Sequence, residues 1–232
     1  MRLTKNKKFR FFLLLVFLVF SYHFWIFSKV LWFIKFNPKS SAFMENSLDE
    51  MQEKNTRAEL KHTWISYEKI SQNIKKAVIA AEDAKFLSHE GFDWDAIQTA
   101  FEKNLKKGRI VAGGSTISQQ LAKNLFLSKS RNPLRKIEEA IITFMIEKMM
   151  AKRRILEIYL NIIEWGEGIF GIEAASQYYF RQSSSNIDAF QAATLAAIIP
   201  NPVYFQSRIN STRIKRKTGI LLFRMKSARP PE

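Results

Sequence analysis

The chain has 232 residues, 47% of them hydrophobic, which is enough for one sizeable domain. It contains no cysteine and only three scattered histidines, His23, His62 and His89, which excludes disulfides, thiolate chemistry and a histidine-based zinc cluster. A formal net charge of +16 calls for an anionic partner, and composition alone does not choose among nucleic acid, an anionic membrane face and a phosphorylated substrate.

In chain order, the first predicted element is a membrane anchor at residues 11–34. Phe11 to Ser28 carries no formal charge, is dominated by Phe, Leu, Val and Ile, and is long enough to span a bilayer. A cleaved signal peptide is the competing reading, but the run is long and aromatic and no small-residue cleavage pattern follows it. Arg2, Lys5, Lys7, Lys8 and Arg10 crowd the basic segment 1–10, whereas Lys29, Lys35 and Lys39 follow the span, so the amino terminus is expected in the cytoplasm and the rest outside. Tyr22, Trp25 and Trp32 suit an interfacial belt near the outer end. Residues 37–60 are polar and lack a sustained apolar stripe, which predicts a tether or a weakly packed helix leading into the domain, so that 35–63 reads as a linker and jaw approach, with the domain proper at 64–232.

Within that domain apolar residues recur at helical spacing, with little strand signal. Ile70, Ile74, Val78 and Ala81 mark one expected buried stripe. Ile97, Ala100, Phe101 and Leu105 mark the next, opened by Asp93 as an N-cap and stopped by Gly108. Thr116 and Gln119 have capping-box spacing around a helix that buries Ile117, Leu121 and Leu125. Asn132-Pro133 opens a long helix whose expected buried stripe is Ile137, Ala140, Ile141, Phe144, Met145 and Met149. Further helices are expected at 154–163, at GIEAASQYYF after a hinge of Gly166, Gly168 and Gly171, and at DAFQAATLAAIIPNP. A basic amphipathic helix is expected over roughly Ser211 to Lys226. The fold class is mostly α.

Three places carry candidate chemistry. Glu82 ends KKAVIAAED, where apolar neighbours disfavour its charge and make it a poised general base; the bland reading is an exposed helix end formed with Asp83. GGSTISQQLAKNL lacks the lysine-serine pair of a P-loop. Its Gly113-Gly114 turn permits close backbone approach, and Ser115, Thr116, Gln120 and Lys123 suit sugar hydroxyls and phosphate oxygens, although an ordinary capped helix reads equally well. Arg135 and Glu139 are four residues apart and share a face. A cation in the first turn of a helix opposes the dipole, and that cost without local benefit points to use. With Lys123, Arg131 and free amides it forms a candidate pyrophosphate site, against a solvated basic turn paired with Glu138 or Glu139.

These motifs, with RKIEEAIITFMIEKMMAK, RRILEIYLN and AATLAAIIPNP in the same order, resemble the peptidoglycan glycosyltransferases of glycosyltransferase family 51. The likeness covers roughly residues 64–205 and is to the membrane-anchored monofunctional form, since the bifunctional relatives continue into a penicillin-binding transpeptidase domain absent here. The resemblance implies a lysozyme-like α-helical fold with a small membrane-associated jaw, and polymerisation of lipid II with inversion and loss of undecaprenyl pyrophosphate. It assigns Glu82 as the base that takes the proton of the acceptor GlcNAc 4-hydroxyl. Glu139 matches the second essential glutamate and organises the pyrophosphate site, directly or through Arg135. Lys123, Arg131 and Arg135 match positions that contact pyrophosphate or sugar, and Asp83, Ser115, Thr116, Gln119 and Gln120 belong to the substrate-binding set.

No cofactor or resident metal is required on this reading, which leaves room for a divalent cation, Mg or Mn, assisting pyrophosphate departure. The implied partners are lipid II, the growing glycan strand, membrane lipids and other cell-wall synthesis or division proteins, with no nucleic acid. WISYEKIS and NIIEWGEGIFG look like the Gram-negative enzymes, which implies an inner-membrane anchor and a periplasmic domain. One departure is Arg181 in YYFRQ, where many relatives have glycine, and an altered turn is expected there. The rival functions are a lytic or hydrolytic enzyme on finished glycan and a non-catalytic membrane-anchored scaffold.

Overall fold

The computed structural model describes residues 2–130 and 132–232, with side chains from Asn6 onward. It divides into two compact units, Met1–Asn37 and Pro38–Glu232. The first is a single helix, α1 (Arg2–Lys35). Its segment Asn6–Lys35, 30 residues, is long and apolar enough to cross a membrane.

The second unit is a helical domain. Its centre is α9 (Ala189–Ile198), whose residues from Ala192 to Ile198 are all buried. A helix apolar all round needs neighbours on every side, and α3 (Gln72–Glu82) and α11 (Thr212–Arg224) provide them. Ile74 and Val78 on α3 and Ile214 and Leu221 on α11 fill the contact. Beside this core, α5 (Ile117–Phe126) packs against α6 (Pro133–Met149) and α7 (Lys152–Ile162). Completing the unit are α2 (Ala42–Gln52), α4 (Trp94–Lys107), α8 (Ile172–Phe180) and the short α10 (Pro202–Gln206).

The helix ends follow the capping chemistry. Asp93 accepts from Ala96 N at 2.9 Å to open α4, and Gly108 closes it in the left-handed conformation at φ 61°. Thr116 and Gln119 form a complete capping box on α5, and Asn132 caps α6 ahead of Pro133. Arg181 closes α8 at φ 58°, a left-handed conformation that glycine adopts without strain.

Three expectations need correction. The domain begins well before Trp64, because α2 packs on α5, and Lys129 donates to Ser47 Oγ and Glu50 Oε2, each at 2.9 Å. The glycine hinge is a hairpin of β2 (Glu164–Gly166) and β3 (Ile169–Phe170), and β1 (Lys61–His62) adds to β3 in parallel. These strands of two or three residues are too short to show an alternating pattern in sequence.

The third correction concerns α4 and α6. Phe101 and Leu105 on α4 are 67% and 73% exposed, and Ile137 and Phe144 on α6 are 61% and 57% exposed. The buried face of α6 instead carries Glu139, Ile142, Thr143 and Ile146. This set has helical spacing too, so periodicity alone did not say which face the neighbouring helix covers.

Candidate active site

The site is assembled at the carboxyl end of α3, with α5 running past it. Ser71 caps α3 at the other end, and buried Ile74, Ala77, Val78, Ile79 and Ala80 hold the helix in the core, so Glu82 arrives on a rigid support. Glu82 is half-buried, and Gln120 Nε2 on α5 donates to its Oε2 at 2.9 Å. Burial raises the Glu82 pKa above the ordinary carboxylate value, and Asp83 adds to this, while the Gln120 hydrogen bond, Lys217 and Lys123 act the other way. The outcome is a carboxylate more basic than a surface glutamate. The exposed helix end considered for Glu82-Asp83 is not what the fold contains.

Asp83 turns inward. It is 6% exposed, and its two oxygens face His89 Nε2 at 2.9 and 3.1 Å. Gly91 N donates to His89 Nδ1 at 3.1 Å, so the ring carries its proton on Nε2 and donates it to Asp83. Asp83 also accepts from Ile117 N at 3.0 Å, satisfying an amide at the positive end of α5. One carboxylate thus locks the start of α5 to the end of α3. Both Asp83 oxygens are therefore engaged inside the protein.

Thr116 and Gln119 are likewise buried, engaged in the capping box, with Thr116 Oγ1 donating to Gly91 O at 2.6 Å. Their polar atoms serve the fold, whereas Ser115 is exposed and Gln120 and Lys123 are half-buried on the open side. Gly114 also has a packing reason, since a Cβ there would lie 2.8 Å from Ile97 Cα. Gly91 has φ 93°, and a Cβ there would meet Thr143 Cγ2 at 2.9 Å.

The second half of the site is the start of α6. Glu139 is 2% exposed, and it pairs with Arg135 Nη1 at 2.9 Å and with Lys136 Nζ. Lys136 also reaches Ser115 Oγ at 3.5 Å. Arg135 has a local structural use after all, because its Nε donates to Ser130 O at 2.6 Å while Nη1 holds Glu139. The absence of such a use therefore cannot be the argument for its function. What remains is the charge balance. Lys123, Arg135 and Lys136 bring three positive charges against the one of Glu139, a surplus of two in a partly desolvated place. Arg131 lies outside the described residues.

Lys123 joins the two halves. Its pKa is lowered first by burial, raised by Glu139 and Glu82, and lowered again by Arg135 and Lys136. Its ammonium thus feels both carboxylates, and Phe43 of α2 packs beside it, the ring centre 5.4 Å from Nζ. Among the described residues no group of three His, Cys, Asp or Glu side chains is placed to hold a metal ion. Glu139, the carboxylate beside these cations, is already paired with Arg135 and Lys136.

Sequence reasoning missed three contributors. Lys136 was legible from its spacing to Glu139. Tyr159, fully buried on α7, and Lys217 on α11 were not, because only tertiary packing brings them near Glu82.

The transglycosylase family model matches residues 47–226. The chain is 59% identical over 219 residues to the biosynthetic peptidoglycan transglycosylase of Methylobacillus flagellatus, covering 94% of this chain and 96% of that protein. It is 57% identical to the protein of that name from Nitrosospira multiformis, covering 96% of each, and 56% identical to that from Chromobacterium violaceum, covering 88% and 90%. This extent of match leads to one conclusion, that the chain belongs to the transglycosylase family.

Proposed function

We propose that the protein is a peptidoglycan glycosyltransferase that polymerises lipid II into linear glycan strands. The observation that carries this reading is the pairing, along α5, of a basic, half-buried Glu82 with a surplus of positive charge at Lys123, Arg135 and Lys136. Glu82 takes the proton of the acceptor GlcNAc 4-hydroxyl as that oxygen bonds to the anomeric carbon of the donor MurNAc. Attack from the face opposite the leaving group inverts that carbon, and the bond to undecaprenyl pyrophosphate breaks with its electrons going to the phosphate oxygen. The three cations neutralise that charge as it develops. Glu139 keeps Arg135 and Lys136 aimed.

A lipid-linked substrate also accounts for the outer faces of α4 and α6. Trp94, Phe101, Leu105 and Ile110, with Leu134, Ile137 and Phe144, are exposed, and Lys103, Lys106, Lys107 and Arg109 accompany them. Apolar residues ringed by cations suit the interface of an anionic bilayer, and we assign this part as the membrane-associated jaw. The basic flank that precedes the apolar run from Phe11 supports a cytoplasmic amino terminus and an outward-facing catalytic unit on the inner membrane.

The test is incubation of the detergent-solubilised protein with labelled lipid II. Polymer formed by the wild type and lost in Glu82→Gln is the expected result. Fragments released from purified sacculi without polymer would make the protein a lytic enzyme. Neither product, with no binding of a pyrophosphate-bearing analogue, would make it a scaffold.

A further inference from the structure

A buried tyrosine lies behind the Gln120 contact with Glu82. Tyr159 on α7 is fully buried, and its hydroxyl donates to Gln120 Oε1 at 3.0 Å, while Gln120 Nε2 donates to Glu82 Oε2 at 2.9 Å. A carboxamide has one accepting end and one donating end, and either can face a carboxyl group. With its oxygen on Tyr159, the nitrogen must face Glu82. Turned over, the amide would set an oxygen against a carboxylate.

We propose that Tyr159 is a positioning residue for the transfer reaction, fixing the orientation of the Gln120 amide so that Glu82 always meets a hydrogen-bond donor. This inference rests on the reading of Glu82 as the base. The relay needs a hydroxyl that keeps its proton, and burial together with the charges of Glu82 and Asp83 holds the Tyr159 pKa well above its usual value. Tyr159 therefore stays a donor wherever the enzyme works. α7 sits against α5, and α5 carries both Gln120 and the Asp83-bound first turn, so the relay joins two elements already locked together. The charged groups that act on Glu82 are its neighbour Asp83 on α3, Lys123 on α5 and Lys217 on α11, which donates to Ala197 O at 3.1 Å; α9 brings no charge. These charges act on Glu82 itself, whereas the Tyr159 hydroxyl acts on the far end of the Gln120 amide and holds its oxygen away from Glu82.

Tyr159→Phe removes the hydroxyl and keeps the ring. The ionised form of Glu82 then loses its assured donor, so its titration moves upward and the acid limb of kcat/KM for lipid II moves to higher pH. On that limb kcat/KM falls about 3–10-fold, the size of one modest hydrogen bond, while the alkaline side is unchanged. The direct measurement is carbon NMR of full-length protein labelled with carboxyl-13C glutamate, the Glu82 signal being identified by its loss in Glu82→Gln. Tyr159→Phe and Gln120→Met are each expected to raise the Glu82 midpoint, and the double variant is expected to add nothing to Gln120→Met. An unshifted midpoint in Tyr159→Phe overturns the inference, as does an additive double variant. Should Tyr159→Phe fail to fold, an unshifted Gln120→Met overturns it equally. Normal polymerisation by Glu82→Gln would instead remove Glu82 from the base role, and the NMR result separates that failure from this one.

Discussion

The two flanks of α5 use the same sequence pattern for opposite ends. On the α3, α7 and α9 side, apolar residues at helical spacing are buried against protein, and the polar groups among them, Asp83, Thr116 and Gln119, are consumed in holding one helix to the next. On the α4 and α6 side, equally regular apolar stripes face outward, and α6 turns its buried face, with Glu139, toward α5. A helical period identifies residues that share a face, but it does not name the medium that face meets. Here one medium is the protein core, and we read the other as lipid.

The strongest way to break the comparison is Glu82→Gln, expected to lower lipid II polymerisation about 10²–10⁴-fold, the range for losing a general base. A second reading from the same variant sharpens it. Burial raises the Glu82 pKa in the folded state, so its ionisation penalises folding as pH rises through that raised value, and the penalty is absent below the unfolded carboxylate pKa. Glu82→Gln should therefore melt higher than wild type near neutral pH and equal to it in acid. A loss of stability at neutral pH would mean that Glu82 is a structural residue.

Asp83→Ala tests the inward side. It strands the donors of His89 and Ile117 in a buried place, and denaturant unfolding is expected to show a loss of about 2–4 kcal/mol. Exposed Ser115→Ala should stay within about 0.5 kcal/mol of wild type. Lys136→Met, on the cationic rim, is expected to lower kcat/KM about 10-fold by removing one charge from the leaving-group site, measured with labelled lipid II.

Phe101→Ser with Leu105→Ser probes the outward side. Polymer yield in vesicles of anionic lipid should fall several-fold, while unfolding in detergent shifts by no more than about 0.5 kcal/mol. A large unfolding penalty would show that α4 is covered by protein. The smallest effect belongs to Arg181→Gly, which relieves a left-handed backbone at φ 58° and should stabilise the fold by about 0.5–1 kcal/mol with unchanged activity.

Much of the helical framework was legible because its signals are local. Asp93, Gly108, the Thr116 and Gln119 box and Asn132-Pro133 each act within one turn of chain, and each is used as read. Glu82, Glu139 and Lys123 were legible as candidates, because a charged residue beside an apolar run invites explanation. The roles of Asp83, Thr116 and Gln119 were not, since a polar residue binding substrate and one bonded to another helix have the same sequence appearance. A helix at α2 was legible but its packing was not, and β1 was missed, for a related reason, as both are held by partners distant in the chain.

What the sequence by itself determined, then, is the set of elements with local causes, namely an apolar span of bilayer length, capped helices, a mostly α fold and the residue types for acid-base and anion chemistry. Only the tertiary structure decided which faces are covered, that Asp83 is buried while Glu82 is half-buried, and that Tyr159, Gln120 and Lys217 lie near that base. The physical reason is range. Caps and helical periods act over one or two turns, whereas burial and the donor at a carboxylate depend on helices brought together only by packing.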